Sequence, residues 1–227
     1  MPDDQRPSEP KSQPRRRLNF TRLTGKESLD CAVAFRDKLR QRRSVREFSD
    51  EPISLDALRA CIEAAASAPS GANKQPWSFV LVTDPSVKSK IRQAAEAQEL
   101  SFYGGRAGDR WLADLHPLGT DASKPFLETA PALIVVFALR SGAEKDDRHY
   151  YVSESVGIAA GILIAGLHLS GFATLTHTPA PMGFLREILG RSANERPFLL
   201  IPVGLPVEGC TVPDISRKPL DEVLVQI

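Results

Sequence analysis

Arg42-Arg43-Ser44-Val45-Arg46 sets three guanidinium groups and a hydroxyl within five residues, between two helical patterns. A guanidinium fork matches phosphate oxygens in geometry and keeps its charge at any physiological pH. In an extended segment alternate side chains point to opposite sides. Arg42, Ser44 and Arg46 can then reach one ligand while Arg43 faces another surface. Two readings follow from the residues alone. One is a phosphate clamp for a bound nucleotide, the other a solvated basic connector.

Upstream, Leu29, Ala32, Val33, Phe35 and Leu39 recur near helical spacing, which predicts a helix from an N-cap at Ser28 to about Gln41. Downstream, Ser54 is placed to cap a second helix, with Asp56 complementing its positive end. Ala68-Pro69-Ser70-Gly71 stops that helix, because a residue before proline disfavours the α region. The loop from Pro69 to Trp77 carries Gly71, which allows positive φ and close backbone approach to a ligand. A plain helix-to-strand connection fits the same residues. Apolar runs at 78–83, 132–137, 172–176 and 198–204 read as strands. Helices are expected from Ser86 and over 153–169 and 182–189. The second of these is apolar nearly all round and rich in Gly, Ala and Ser, and it reads as a buried central helix at a subunit interface. Residues 96–126 hold Gly104, Gly105, Gly108 and Trp111 with weak periodicity, the pattern of either a binding lid or a surface excursion. Strands and helices interleave, so the class is α/β or α+β.

The 227 residues are 42% apolar and 25% charged, with a net charge of +1. A near-neutral balance argues against a dedicated nucleic-acid binder. Cys31, Cys61 and Cys210 form no CxxC, and the four histidines show no ligand spacing, so neither a disulfide framework nor a metal site is expected. Residues 1–26 read as a disordered, polar and basic arm with Arg15-Arg16-Arg17, and 27–227 as the folded domain. The arm lacks the apolar run of a secretion signal or membrane anchor, which predicts a cytoplasmic protein. No G-x-G-x-x-G, P-loop or G-x-S-x-G is present. Any phosphate-bearing ligand therefore falls to the arginines.

Four segments in order resemble the nitroreductase-type FMN proteins: Arg42 to Arg46, Ala68 to Asn73 with Gln75-Pro76-Trp77, Thr176-His177-Thr178-Pro179, and Arg217-Lys218. The resemblance covers roughly residues 28–225. It implies an α+β fold with a central mixed sheet flanked by helices, in a domain-swapped homodimer that holds FMN between subunits. By the same resemblance Arg42, Arg43, Ser44, Val45, Arg46 and Arg217 surround the flavin phosphate and ring edge. Ser70 and Gly71 approach from the interface loop, and Thr176, His177 and Thr178 line the ring. Thr178 is the catalytic hydroxyl near the flavin N5, and the Ala72 N–H meets the substrate phenolate.

Within that family the chain is similar to the iodotyrosine deiodinase branch, whose lid carries a Glu, a Tyr and a Lys. Glu99 and Tyr103 stand four apart, on one helical face, and Lys124 follows the glycine-rich stretch. An amino-acid zwitterion offers an ammonium, which suits Glu99, and a carboxylate, which suits Lys124 and the Tyr103 hydroxyl. One close ion pair is worth about 4 kcal/mol at an effective dielectric near 20, before desolvation is subtracted. The implied activity is reductive dehalogenation of halotyrosines, with electrons from NADPH or a separate reductase. A general nitroreductase acting on nitroaromatics or quinones is the alternative.

Overall fold

β2 (Ala132–Leu139) contains no polar residue and is buried along nearly its whole length, so it needs apolar cover on both faces. Leu133, Val135 and Phe137 point to one side, among Phe48, Ile91, Leu127 and Leu200. Ala132, Ile134 and Val136 point to the other, among Leu58, Val156, Leu163 and Ile201. The alternation of a pleated strand thus builds two cores from one run of sequence. The structure, a computed structural model, describes residues 14–142 and 147–227. It divides into two compact units, Met1–Asp37 and Lys38–Ile227.

In the larger unit, β2 is flanked by β1 (Trp77–Val82) and β4 (Glu195–Gly204), with β3 (Ala173–Thr174) outermost, and every ladder is antiparallel. Among the described residues the parallel component of the sheet is a single bridge, Ser44 to Thr174, where the Val45 N–H donates to the Thr174 carbonyl at 3.0 Å. That bridge ties the arginine segment to the sheet edge. β3 is shorter than the 172–176 run predicts. Leu175 donates to the Pro202 carbonyl, but Pro202 has no N–H to return the bond. Pairing resumes at His177, which exchanges both bonds with Leu200, at 2.8 and 3.0 Å.

One sheet face is covered by α2 (Leu55–Ala66) and α6 (Val152–Leu169), the other by α3 (Pro85–Ser101), α5 (Phe126–Thr129) and α7 (Gly183–Ile188). Ser54 caps α2 as expected, its hydroxyl accepting from the Ala57 N–H at 3.2 Å. Asp84 caps α3 by accepting from Ser86 and Val87. The buried Lys88 ammonium donates to the Glu128 and Ala130 carbonyls, both at 2.8 Å, and so closes the end of α5.

α6, expected as an apolar helix at a subunit interface, is buried on one side only in the single chain. Val156, Ala159, Leu163 and Leu167 are buried, whereas Gly157, Ile158 and Gly161 are exposed. Length and composition alone would also let this helix cross a membrane. α1 (Gly25–Gln41) begins three residues before the expected cap at Ser28. Thr24 and Glu27 form a reciprocal capping box: the Glu27 N–H donates to Thr24 Oγ1, and the Thr24 N–H to Glu27 Oε2. None of its residues is buried, and Leu29 and Phe35 are exposed. Residues 1–13 of the expected arm lie outside the described residues, and 14–24 are exposed without helix or strand.

Leu163 is fully buried between α6 and the sheet. Leu163→Ala is expected to lower stability by about 2–5 kcal/mol, read as a shift in urea midpoint at unchanged slope.

Candidate functional site

The weakly periodic stretch after α3 is structured. α3 runs to Ser101, a widened π turn spans Phe102–Arg106, and α4 (Asp109–Leu115) follows. Gly105 makes the turn at φ 133°, a conformation that L side chains rarely adopt. This segment borders a cavity of about 760 Å³ whose walls include Arg46, Glu99, Tyr103, Lys124, His177 and Thr178. The three residues expected in the lid are thus brought together.

Lys124 is the centre of that group. Its side chain is only 3% exposed, and its ammonium lies 3.5 Å from Glu99 Oε2. It donates to Thr120 Oγ1 at 3.2 Å and to the Asp121 carbonyl. The ammonium also sits 5.7 Å from the centroid of the Tyr103 ring, close enough for a cation–π contact. The Tyr103 hydroxyl donates to the Thr120 carbonyl at 3.1 Å. Burial pulls the Lys124 pKa below its ordinary value, and the Glu99 charge opposes that. Burial pushes Glu99 up, and Lys124 and then Arg106 oppose it. Each ion is therefore the other's condition for staying charged.

Two supporting residues carry no recognisable motif. Glu96 accepts from the Lys124 backbone N–H at 2.6 Å and from Arg92 Nε at 2.9 Å, fixing the base of the lysine loop to α3. Arg106 donates to the Gln98 carbonyl and to the Ala180 carbonyl, joining the lid to the segment after Thr178. The Arg92–Glu96 spacing of four is the one available sequence signal.

The arginine segment divides differently from the simple alternation expected of it. Arg46 lines the cavity, and its pKa is lowered, chiefly by burial, with the neighbouring Tyr103 working against the shift. Arg43 does not face away by itself: it donates to the Pro213 carbonyl and stands near Arg42. Arg217 donates to the Arg40 carbonyl at 3.2 Å and to the Arg42 carbonyl at 2.7 Å. Burial lowers the Arg42 pKa, and the charges of Arg217 and Arg43 push the same way. Among the described residues no carboxylate pairs with Arg42, Arg43 or Arg217. Ser44 holds the bridge to Thr174, and the Val45 side chain belongs to the core instead of a ligand surface.

Thr176 and Thr178 are exposed and His177 between them is buried, as strand alternation requires. His177 meets the Phe126 ring edge-on at 5.6 Å, and its Nε2 has no hydrogen-bond partner among the described residues. Burial, followed by the Lys124 and Arg46 charges, lowers its pKa to about 3, so the imidazole is neutral. Ser70, Gly71 and Ala72 are not among the residues that line the cavity. Positive φ in their loop falls on Ala72, Asn73 and Gln75 at 50°, 54° and 48°, and not on Gly71. Gly71 answers a packing demand: a Cβ there would lie 2.9 Å from Tyr151 Cδ2 and 3.0 Å from the Tyr150 carbonyl. Ser70 Oγ accepts from the Gln75 N–H at 2.9 Å and holds the loop closed.

The depressed His177 pKa carries a pH dependence with a definite sign. The unfolded chain binds a proton near pH 6.5 that the folded chain refuses until about pH 3. The stabilisation is therefore complete above 6.5 and declines as pH falls through that window, by at most about 1.4 kcal/mol per pH unit. His177→Gln is expected to flatten this part of the profile, measured as urea midpoints at pH 7 and pH 4.5.

Known proteins resemble the chain over most of its length. It is 52% identical over 204 residues to an iodotyrosine deiodinase of Haliscomenobacter hydrossis, covering 88% of this chain and 91% of that protein. It is 44% identical over 206 residues to iodotyrosine deiodinase 1 of Homo sapiens, covering 89% and 71%. Its fold matches a crystal structure of oxidized iodotyrosine deiodinase bound to FMN and 3-iodo-L-tyrosine, with a TM-score of 0.73 and 31% identity, over 85% of this chain and 97% of that one. The profile of the nitroreductase family matches residues 39–205, and the chain belongs to that family.

Proposed function

We propose that the protein is an FMN-dependent reductive dehalogenase of halogenated tyrosines. The observation that carries this reading is the cluster of buried Lys124 with half-buried Glu99 and Tyr103 in the cavity wall. A nitroaromatic or quinone has no ammonium and gives such a carboxylate–ammonium pair nothing to do. An amino acid can enter between the two ions, its ammonium on Glu99 and its carboxylate on Lys124. One desolvated pair then becomes two, and the Tyr103 hydroxyl adds a donor to the carboxylate.

The arginines fit the cofactor. Arg42, Arg43 and Arg217 repel one another without a carboxylate between them, which a phosphate would relieve. FMN, when bound, supplies the electrons for the reduction. Thr176 and Thr178 present hydroxyls at the cavity wall, and Thr178 is the catalytic donor beside the ring. Lid closure through Lys124 and Glu99 orients the phenol and excludes water. The overall change breaks one carbon–halogen bond, releases halide, and places a proton on the ring carbon after two electrons arrive.

Ser70, Gly71 and Ala72 complete the site from a second copy in a domain-swapped homodimer. The exposed Gly157, Ile158 and Gly161 face of α6 supports that assembly, because small residues allow close approach. Ala72 would then direct its N–H at the substrate phenolate. The folded domain is assigned to residues 27–227, the protein to the cytoplasm, and the electron donor is NADPH or a separate reductase.

Glu99→Gln leaves Lys124 buried without its counter-ion and removes the ammonium partner. Iodotyrosine binding is expected to weaken by about 2–5 kcal/mol in a flavin-fluorescence titration, with iodophenol binding little changed. Dithionite-reduced parent enzyme should release iodide from iodotyrosine. Binding of iodotyrosine by the variant at parental affinity, or no iodide from the parent, would refute the reading.

A further inference from the structure

Three more guanidinium groups line the same cavity: Arg140 just beyond β2, Arg186 on α7 and Arg196 near the start of β4. Arg140 and Arg196 are exposed and Arg186 is half-buried. The neighbouring carboxylate is already engaged, since Glu195 accepts from Arg191 Nε at 2.7 Å and Nη2 at 2.8 Å. Among the described residues no carboxylate pairs with Arg140, Arg186 or Arg196. The chain as a whole carries only +1, so this concentration is local.

We propose that this arginine rim docks an acidic one-electron carrier protein that reduces the flavin. The proposal rests on the FMN reading above. Charges that remain in water at a cavity mouth contribute little fixed affinity, but they steer a partner of opposite sign and raise its association rate. A dinucleotide hydride donor is the less suitable occupant. Its nicotinamide would have to stack on the ring in the volume under the lid, the space the proposed substrate itself needs. A one-electron carrier needs only to approach the rim. Two reduced carriers each give up one electron and leave oxidised. The carbon–halogen bond then breaks with its electron pair on the halide, and a proton from solvent takes its place on the ring.

The test uses holoenzyme, a reduced plant-type [2Fe–2S] ferredoxin as the acidic carrier, and Arg140→Glu/Arg196→Glu beside the neutral Arg140→Gln/Arg196→Gln. Flavin bleaching is followed by stopped flow at several salt concentrations, and dithionite-driven iodide release is measured separately. For the parent, the bimolecular rate should fall as salt rises. At low salt the charge-reversed variant should be slower by about tenfold or more per bound flavin, with the neutral variant between. Equal bleaching rates in parent and charge-reversed enzyme would overturn the proposal. So would bleaching by NADPH alone that is lost in the variant, which would make the rim a nucleotide-phosphate site. Failure of dithionite-driven release in the parent would count against the dehalogenase reading, while ferredoxin-driven bleaching would still decide the rim.

Discussion

A lysine ammonium almost sealed from water must be matched by an anion or lose its proton, and Lys124 meets that condition through Glu99 at 3.5 Å. Everything nearby serves the pair. Glu96 fixes the lysine backbone to α3, Thr120 and Asp121 accept from the ammonium, and Tyr103 lies against the charge. Desolvation works against both ions, so part of their mutual attraction is consumed in keeping each other charged. On the proposed function, a zwitterionic ligand would exchange that single contact for two opposite ones without leaving a buried ion unpaired. This corner of the cavity wall is ordered by the protein's own contacts.

Cations elsewhere follow a different rule. Arg42, Arg43 and Arg217 converge from the two ends of the larger unit, and the contacts that bring them together are to backbone carbonyls: Pro213 for Arg43, Arg40 and Arg42 for Arg217. Carbonyls position a guanidinium without cancelling its charge. The result is a positioned cluster of like charge, which suits a phosphate and is poorly explained by stability. Arg46 is separated from this cluster because Val45 is drawn into the core and Ser44 is tied to Thr174, so the segment turns past the sheet edge. His177 is the counterpart: a polar group held neutral by burial and by the two cations facing it.

The sheet sets these positions. Pro202 removes one bond from the outer ladder, and His177 and Leu200 restore pairing immediately after it. The register carried through that gap is what turns Thr176 and Thr178 outward and His177 inward. A slip of one residue would exchange them and place an imidazole where the hydroxyls stand.

Much of this is legible in the residues. The strand runs, the Ser54 cap and the arginine segment are local patterns, and local patterns are written in periodicity and side-chain chemistry; Glu99, Tyr103 and Lys124 stand out only through the family resemblance. The start of α1 differs from the expected Ser28 because Thr24 and Glu27 form a capping box that outcompetes it. The left-handed backbone that Gly71 allows is used instead by Ala72, Asn73 and Gln75, and only the approach of Tyr150 and Tyr151 reveals what excludes a side chain at Gly71. Glu96, Arg106 and the rim of Arg140, Arg186 and Arg196 escape sequence reading for a common reason. Their roles depend on which charges are already paired across distant segments, and pairing is decided by folding. Residue order alone thus settles the chemistry on offer, most of the elements and the family pattern. Which ions are buried, which are neutralised and which are left for a ligand is settled only in three dimensions, because desolvation and Coulomb attraction act through space and not along the chain.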